Sequence, residues 1–186
     1  MTRFGLISVA FLASAFAASA ADDSLQWGAA AGGLRLGIGF GPASPDPQLR
    51  LVFENTGQPE IDVPLGSTSE KGPVYDLEFT LTSPDGKKEF SIFNMNGPPG
   101  IQKSVQPILA QLKRGGRYEI LLAMKKFVYI DNGKEKTLPG LLAEHYSVHA
   151  ALDTTADARS NHVRGQWLGR IISGELRQKT ETPARH

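Results

Sequence analysis

His145 and His149 flank Tyr146-Ser147-Val148, with Glu144 just before them, and this is the spacing most open to metal chemistry. On a helix an H-x-x-x-H pair shares one face and could hold one ion. On a strand the two Cα atoms stand about 13 Å apart, beyond the reach of zinc–nitrogen bonds of about 2.0–2.1 Å. Tyr146, Val148, Ala150 and Leu152 alternate, which favours the strand and leaves both histidines on its other face. Apolar residues in 138–149 also fall at i, i+3 and i+4, so helix and strand both stay open there. No metal is assigned; His145 and His149, with His162 in a loop spanning 157–165, form the histidine set a metal-dependent enzyme would use.

Nucleophilic and phosphate chemistry find less. No G-x-S-x-G elbow and no G-x-x-x-x-G-K-[ST] loop occurs. "GGLRLG" at 32–37 lacks the G-x-G-x-x-G spacing and lies within a strand pattern. There is no cysteine, which removes a thiol nucleophile, a thiolate metal site, a disulfide and a lipid anchor on cysteine. Paired carboxylates could come from any of the 19 acidic residues, and their separation is not written in the sequence. No catalytic residue and no cofactor is assigned.

Binding residues are easier to nominate. Trp27 and Trp167 are candidate stacking platforms, against the commoner role of covering a core, where each ring buries about 150–250 Å². The loop Asn94-Met95-Asn96-Gly97-Pro98-Pro99-Gly100 is the candidate interaction loop. Pro98 and Pro99 stiffen it, which lowers the ordering cost of binding, and Met95 would be its apolar tip.

The elements that must position these residues read as strands. Leu34, Leu36, Ile38 and Phe40 alternate, as do Leu49, Leu51 and Phe53, then Ile61 and Val63, then Tyr75, Leu77, Phe79 and Leu81. Ser83-Pro84-Asp85-Gly86 is a turn before Phe90 and Ile92. A long apolar stretch from Tyr118 to Ile130 ends at the hairpin signal Asp131-Asn132-Gly133. Trp167, Ile171 or Ile172, and Leu176 close the domain. The segment 105–112 is open between helix and strand. The pattern predicts an all-β fold of two packed antiparallel sheets with little helix, in one domain over 21–177, followed by a flexible tail over 178–186.

The N-terminus reads as a signal peptide over 1–20: Arg3, an uncharged apolar run from Phe4 to Phe16, then Ala18-Ser19-Ala20. The apolar run is shorter than the about 20 residues a spanning helix needs. Removing 20 of the 186 residues leaves 166 with 19 basic and 19 acidic side chains, since only Arg3 is lost. That neutral balance gives no electrostatic case for nucleic acid or a membrane surface. A periplasmic or secreted location without a membrane anchor is expected.

"WGAAAGGLRLGIGF", "LRLVFENTGQPEIDVP", "VYDLEFTLTSPDGK", "LKRGGRYEILL" and "WLGRIISGEL" follow one another in an order that resembles bacterial exported immunoglobulin-like sandwich modules. "FENTGQPEIDVP…VYDLEFTLTSPDGK" is also similar to part of the BsuPI-type proteinase-inhibitor family. The resemblance implies an immunoglobulin-like Greek-key sandwich. Its implied function is a non-enzymatic module binding a protein or a cell-surface polysaccharide; the alternative is an inhibitor or accessory domain acting on exported hydrolases. BsuPI-type chains are shorter, and no reactive-site bond is identifiable here. Glu54-Asn55-Thr56-Gly57 reads as a corner between two strands, with Leu49, Leu51 and Phe53 pointing inward.

Overall fold

The computed structural model describes residues 24–69, 72–94, 106–131, 134–155 and 166–178. The signal peptide, Met95, Asn96, Pro98, Pro99, His162 and the tail beyond 178 lie outside the described residues. In chain order the elements are β1 (Gln26–Trp27), β2 (Leu34–Phe40), β3 (Gln48–Asn55), β4 (Glu60–Ser69), β5 (Gly72–Tyr75), β6 (Leu77–Thr82) and β7 (Glu89–Asn94). There follow β8 (Gln106–Lys113), β9 (Arg117–Ala123), a 3-10 turn (Met124–Lys126), β10 (Phe127–Asp131), β11 (Lys134–Thr137) and the short helix α1 (Leu138–Ala143). Last come β12 (Ser147–Asp153), β13 (Arg170–Ile172) and β14 (Leu176–Arg177).

All named strand pairs are antiparallel. They form a four-stranded sheet β1-β2-β3-β9, a three-stranded sheet β5-β4-β8, and a seven-stranded sheet β11-β10-β7-β6-β12-β13 with β14 beside β12. Because side chains alternate across a strand, Leu34, Leu36, Ile38, Leu49, Leu51 and Phe53 line one face, all fully buried. Phe79, Leu81, Val148, Ala150 and Leu152 line the facing side of the seven-stranded sheet, and both sets share one core with Ile61, Val63 and Leu65 of β4. Burying apolar area at about 25 cal/mol per Å² is what holds the sheets together.

The bend between β3 and β4 is repeated beside it between β8 and β9. Glu54 pairs with Arg117 on one side of the bend and Glu60 with Lys113 on the other, so two strands change sheet together. Asn55 is the pin. It is fully buried, and its Nδ2 donates to the carbonyls of Gln58 and Leu112, both at 2.9 Å. Its Oδ1 accepts the N–H groups of Gly57 (3.2 Å) and Gln58 (2.9 Å). Its main chain adds bonds to Gly115 and Gly116.

Three apolar runs that look continuous in sequence are broken by the fold. Tyr75 ends β5, and the chain passes to another sheet at Asp76, whose N–H donates to the Leu65 carbonyl. The run from Tyr118 to Ile130 is cut by the 3-10 turn into β9 and β10, which belong to different sheets. The segment 138–149 is helix and then strand, while 106–113 is strand. Ile171 is buried and Ile172 exposed, which decides that pair. The turn at Ser83 to Gly86 forms as expected: Gly86 donates to the Ser83 carbonyl and takes φ +70.

Candidate functional site

The outer face of β1-β2-β3-β9 collects an aromatic ring and five charged side chains. Across it run Trp27 beside Gly37, Arg35 beside Glu54 beside Arg117, and Val52 beside Glu119. Gly37 makes room for the indole: a Cβ there would lie 2.8 Å from Trp27 Cε3. The Arg35 guanidinium carbon is 4.1 Å from the Trp27 ring centroid and that of Arg117 is 5.5 Å away. Both distances fall within the range of cation–π attraction, worth about 0.5–1 kcal/mol at an exposed site.

Glu54 organises the two cations. Its Oε1 accepts Arg35 Nη2 at 2.9 Å, and its Oε2 accepts Arg117 Nη2 at 2.6 Å and Nε at 2.7 Å. The Glu54 side chain is only 12% exposed, so these pairs are better shielded than ordinary surface ion pairs. Arg35 Nε is buried without a hydrogen-bond partner. Arg50 pairs with Glu119 at 2.8 Å one register step further along. The face can present a half-exposed indole held in place by two guanidinium groups, chemistry suited to non-covalent recognition.

The two tryptophans part company. Trp27 lies half-buried on this outer face. Trp167 is 5% exposed and belongs to the core. Its Nε1 donates to the Ala31 carbonyl at 3.3 Å, and its main-chain N–H donates to Asp62 at 2.7 Å. Gly32 and Gly169, both with positive φ, pass against its ring.

The histidines are not brought into one strand. His149 sits on β12 opposite Thr80. His145, expected on the same strand, instead follows α1 with φ +66. Its N–H donates to the Leu142 carbonyl, and the N–H of Tyr146 reaches back to Leu141. That pair of bonds is a Schellman cap, in which the left-handed position favours glycine. His145→Gly is therefore expected to stabilise the protein by about 1 kcal/mol, read as a melting temperature roughly 2–4 °C higher. Among the described residues no group of three or more His, Asp or Glu side chains gathers where an ion could be held.

Glu175 is the titratable group most shaped by its surroundings near His149. The Ser147 hydroxyl, donating to Glu175 Oε1 at 2.8 Å, holds its carboxyl below the usual range, with Arg177 and His149 adding to the effect against partial desolvation. A carboxyl depressed in the folded state stabilises above its unfolded pKa, roughly 4.3, and that contribution is lost as pH falls through the folded value. Ser147→Ala is expected to flatten the loss of stability below about pH 4.3, measured by urea unfolding across pH.

Of the proposed loop, only Asn94 falls within the described residues, as the end of β7 with its backbone opposite Phe127. Glu54, expected to be only part of a strand corner, instead holds both guanidinium groups, and Arg35 and Arg117 carry no motif of their own. Their only signal is that Arg35 and Glu54 occupy polar positions of two alternating strands, and the register that makes them neighbours is a long-range fact. Compared with known proteins, the chain matches no family model, and no curated protein or solved structure is significantly similar to it.

Proposed function

We propose that this chain is an exported, non-enzymatic immunoglobulin-like β-sandwich module that binds a protein or a cell-surface polymer. The observation that carries the reading is the Trp27–Arg35–Arg117 cluster on the outer face of a regular sheet. Tryptophan and arginine are the residues most enriched at binding hot spots, and a sheet holds them in place before any partner arrives, which lowers the cost of association. The paired crossings β3 to β4 and β8 to β9 support the sandwich topology.

Chemical crosslinking in producing cells, followed by mass spectrometry, is expected to recover a protein or polymer adduct. Trp27→Ala and Arg35→Ala should each weaken that adduct without changing the melting temperature by more than a few degrees. An adduct insensitive to both, or no adduct, would overturn the reading. Purified protein is expected to leave a panel of serine proteases uninhibited; stoichiometric inhibition would put inhibition in place of binding. Export with cleavage after Ala20 predicts that the protein recovered outside the cytoplasm begins at Ala21.

A further inference from the structure

We propose that residues 24–28 form a strap that lifts from the sandwich as one unit, short of global unfolding, and that the recognition face is complete only while the strap is docked. The lifting stands on the fold alone; its effect on recognition rests on the binding reading above. The strap bridges two sheets. On one side Gln26 and Trp27 pair with Ile38 and Gly37 of β2, and Gly28 N–H donates to the Leu36 carbonyl at 2.9 Å. On the other side Gly174 N–H, between β13 and β14, donates to the Gln26 carbonyl at 3.0 Å.

Glycines shape the seat. A Cβ on Gly28 would lie 1.6 Å from the Ile172 carbonyl oxygen, and one on Gly174 would lie 2.8 Å from the Gln26 carbonyl carbon. On β2, Gly37 cradles the Trp27 indole, and a Cβ on Gly39 would lie 3.1 Å from Leu25 Cδ2. Close approach of this kind is what a missing Cβ permits. The seat holds the strap by fit and by a few backbone bonds.

That attachment is small beside what holds the neighbouring strands. Leu25 is the one buried apolar side chain of 24–28, and β1 has 2 residues against 7 in β2 and 8 in β3. Segments that bury little apolar surface open at lower free energy than the core. The pivot is marked too. Ala31 exchanges main-chain bonds with Leu34, and its carbonyl also accepts Nε1 of the core residue Trp167. Ala29 and Ala30, between that anchor and the strap, are exposed. Rotation there lifts 24–28 and leaves β2 paired with β3 over all its residues.

Trp27 rides on the strap, whereas Arg35, Glu54 and Arg117 stand on β2, β3 and β9. Lifting therefore takes the indole away from the two guanidinium groups and leaves their pairs with Glu54 in place. A partner that needs both indole and guanidinium binds only the docked form, so it holds the strap down.

Amide hydrogen exchange on the purified protein, read by NMR, tests the strap without any partner. Gly28 and Gly174 are expected to exchange through one shared opening, roughly a hundredfold less protected than Ser173. Ser173 is the informative neighbour, because its N–H donates to the Ala150 carbonyl of β12 rather than to the strap. Gly28→Ala, which drives a methyl into Ile172, should lower Gly174 protection a further tenfold or so and leave Ser173 unchanged. The same variant should shift Trp27 emission to the red and lose the crosslinked adduct. Gly37→Ala, which crowds the indole, should act in the same direction and serves as the second variant if Gly28→Ala does not fold. Gly28 and Gly174 amides as protected as Ser173 in the wild type would overturn the proposal. So would a folded variant in which Ser173 loses protection together with Gly174. A lifted strap with the adduct intact would overturn its control of recognition and leave the binding module standing.

Discussion

Asn55→Leu is expected to destabilise the protein by about 3–4 kcal/mol, a large share of the ~5–15 kcal/mol that holds a domain folded. The side chain serves four main-chain groups, two carbonyls and two N–H groups. Gly57 and Gln58 are exposed, so water can replace part of what they lose. Leu112 is 3% exposed, so water cannot replace the amide donor its carbonyl loses, which makes it the main source of the cost. Asn55→Asp separates the two halves of the knot. The carboxylate still accepts from Gly57 and Gln58, but it sets a negative oxygen against the carbonyls of Gln58 and Leu112. Burial and those two acceptors raise the pKa of the new group in the folded state. A raised folded pKa means that the stability is present below the unfolded value, near 3.9, and is lost as pH rises through the folded one. Asn55→Asp should thus approach wild-type stability near pH 4 and fall away toward pH 7. Urea unfolding at both pH values reads this directly, and a pH-independent deficit would show that the side chain does not donate to the two carbonyls.

Half of this knot is local and was legible. An Asn followed by Thr-Gly predicts a side chain that folds back on the next N–H groups, and Gly57 and Gln58 supply them. The bond to Leu112 crosses 57 residues and has no local signature. The same division runs through the fold. Leu34, Leu36 and Ile38, like Leu49, Leu51 and Phe53, announce their strand because one face is wholly buried. The alternation from Tyr75 to Leu81 is just as regular, yet it serves two sheets, since the break at Asp76 is imposed by Leu65 in a different strand. Periodicity reports burial on one side of a strand but not which sheet does the burying. The site shows the limit more sharply. Trp27 ends β1 and Trp167 lies just before β13, two tryptophans that sequence pattern does not tell apart, and only the register around Gly37 and the course of Gly32 and Gly169 place one outside and one inside.

Phe53→Ala is expected to cost about 3–5 kcal/mol, enough to leave a detectable unfolded fraction without denaturant in a domain of ordinary stability. Phe53 has no exposed surface and sits on the inner face of β3, with Leu36 and Tyr118 as its strand neighbours. Truncation removes the ring's transfer energy and leaves a cavity between two sheets, where a hydrogen-bonded backbone cannot collapse far to fill it. Phe40 makes the test specific. It continues the Leu34, Leu36, Ile38 alternation and is indistinguishable from Phe53 by pattern, yet it is 39% exposed at the end of β2. Phe40→Ala should therefore cost well under half as much, since part of its ring already faces water. Equal losses in urea unfolding for the two variants would mean that the core extends past the end of β2, and a Phe53→Ala protein with an unchanged melting temperature would contradict the packing of β3 against the seven-stranded sheet. The expected ordering also bears on β9, because the ring that Phe53 supplies sits beside Tyr118 and helps hold β9 flat against β3. A Phe53→Ala protein should lose protection from hydrogen exchange first along Tyr118, Ile120 and Leu122, whose N–H groups face β3, as expected of an end strand that has lost its packing.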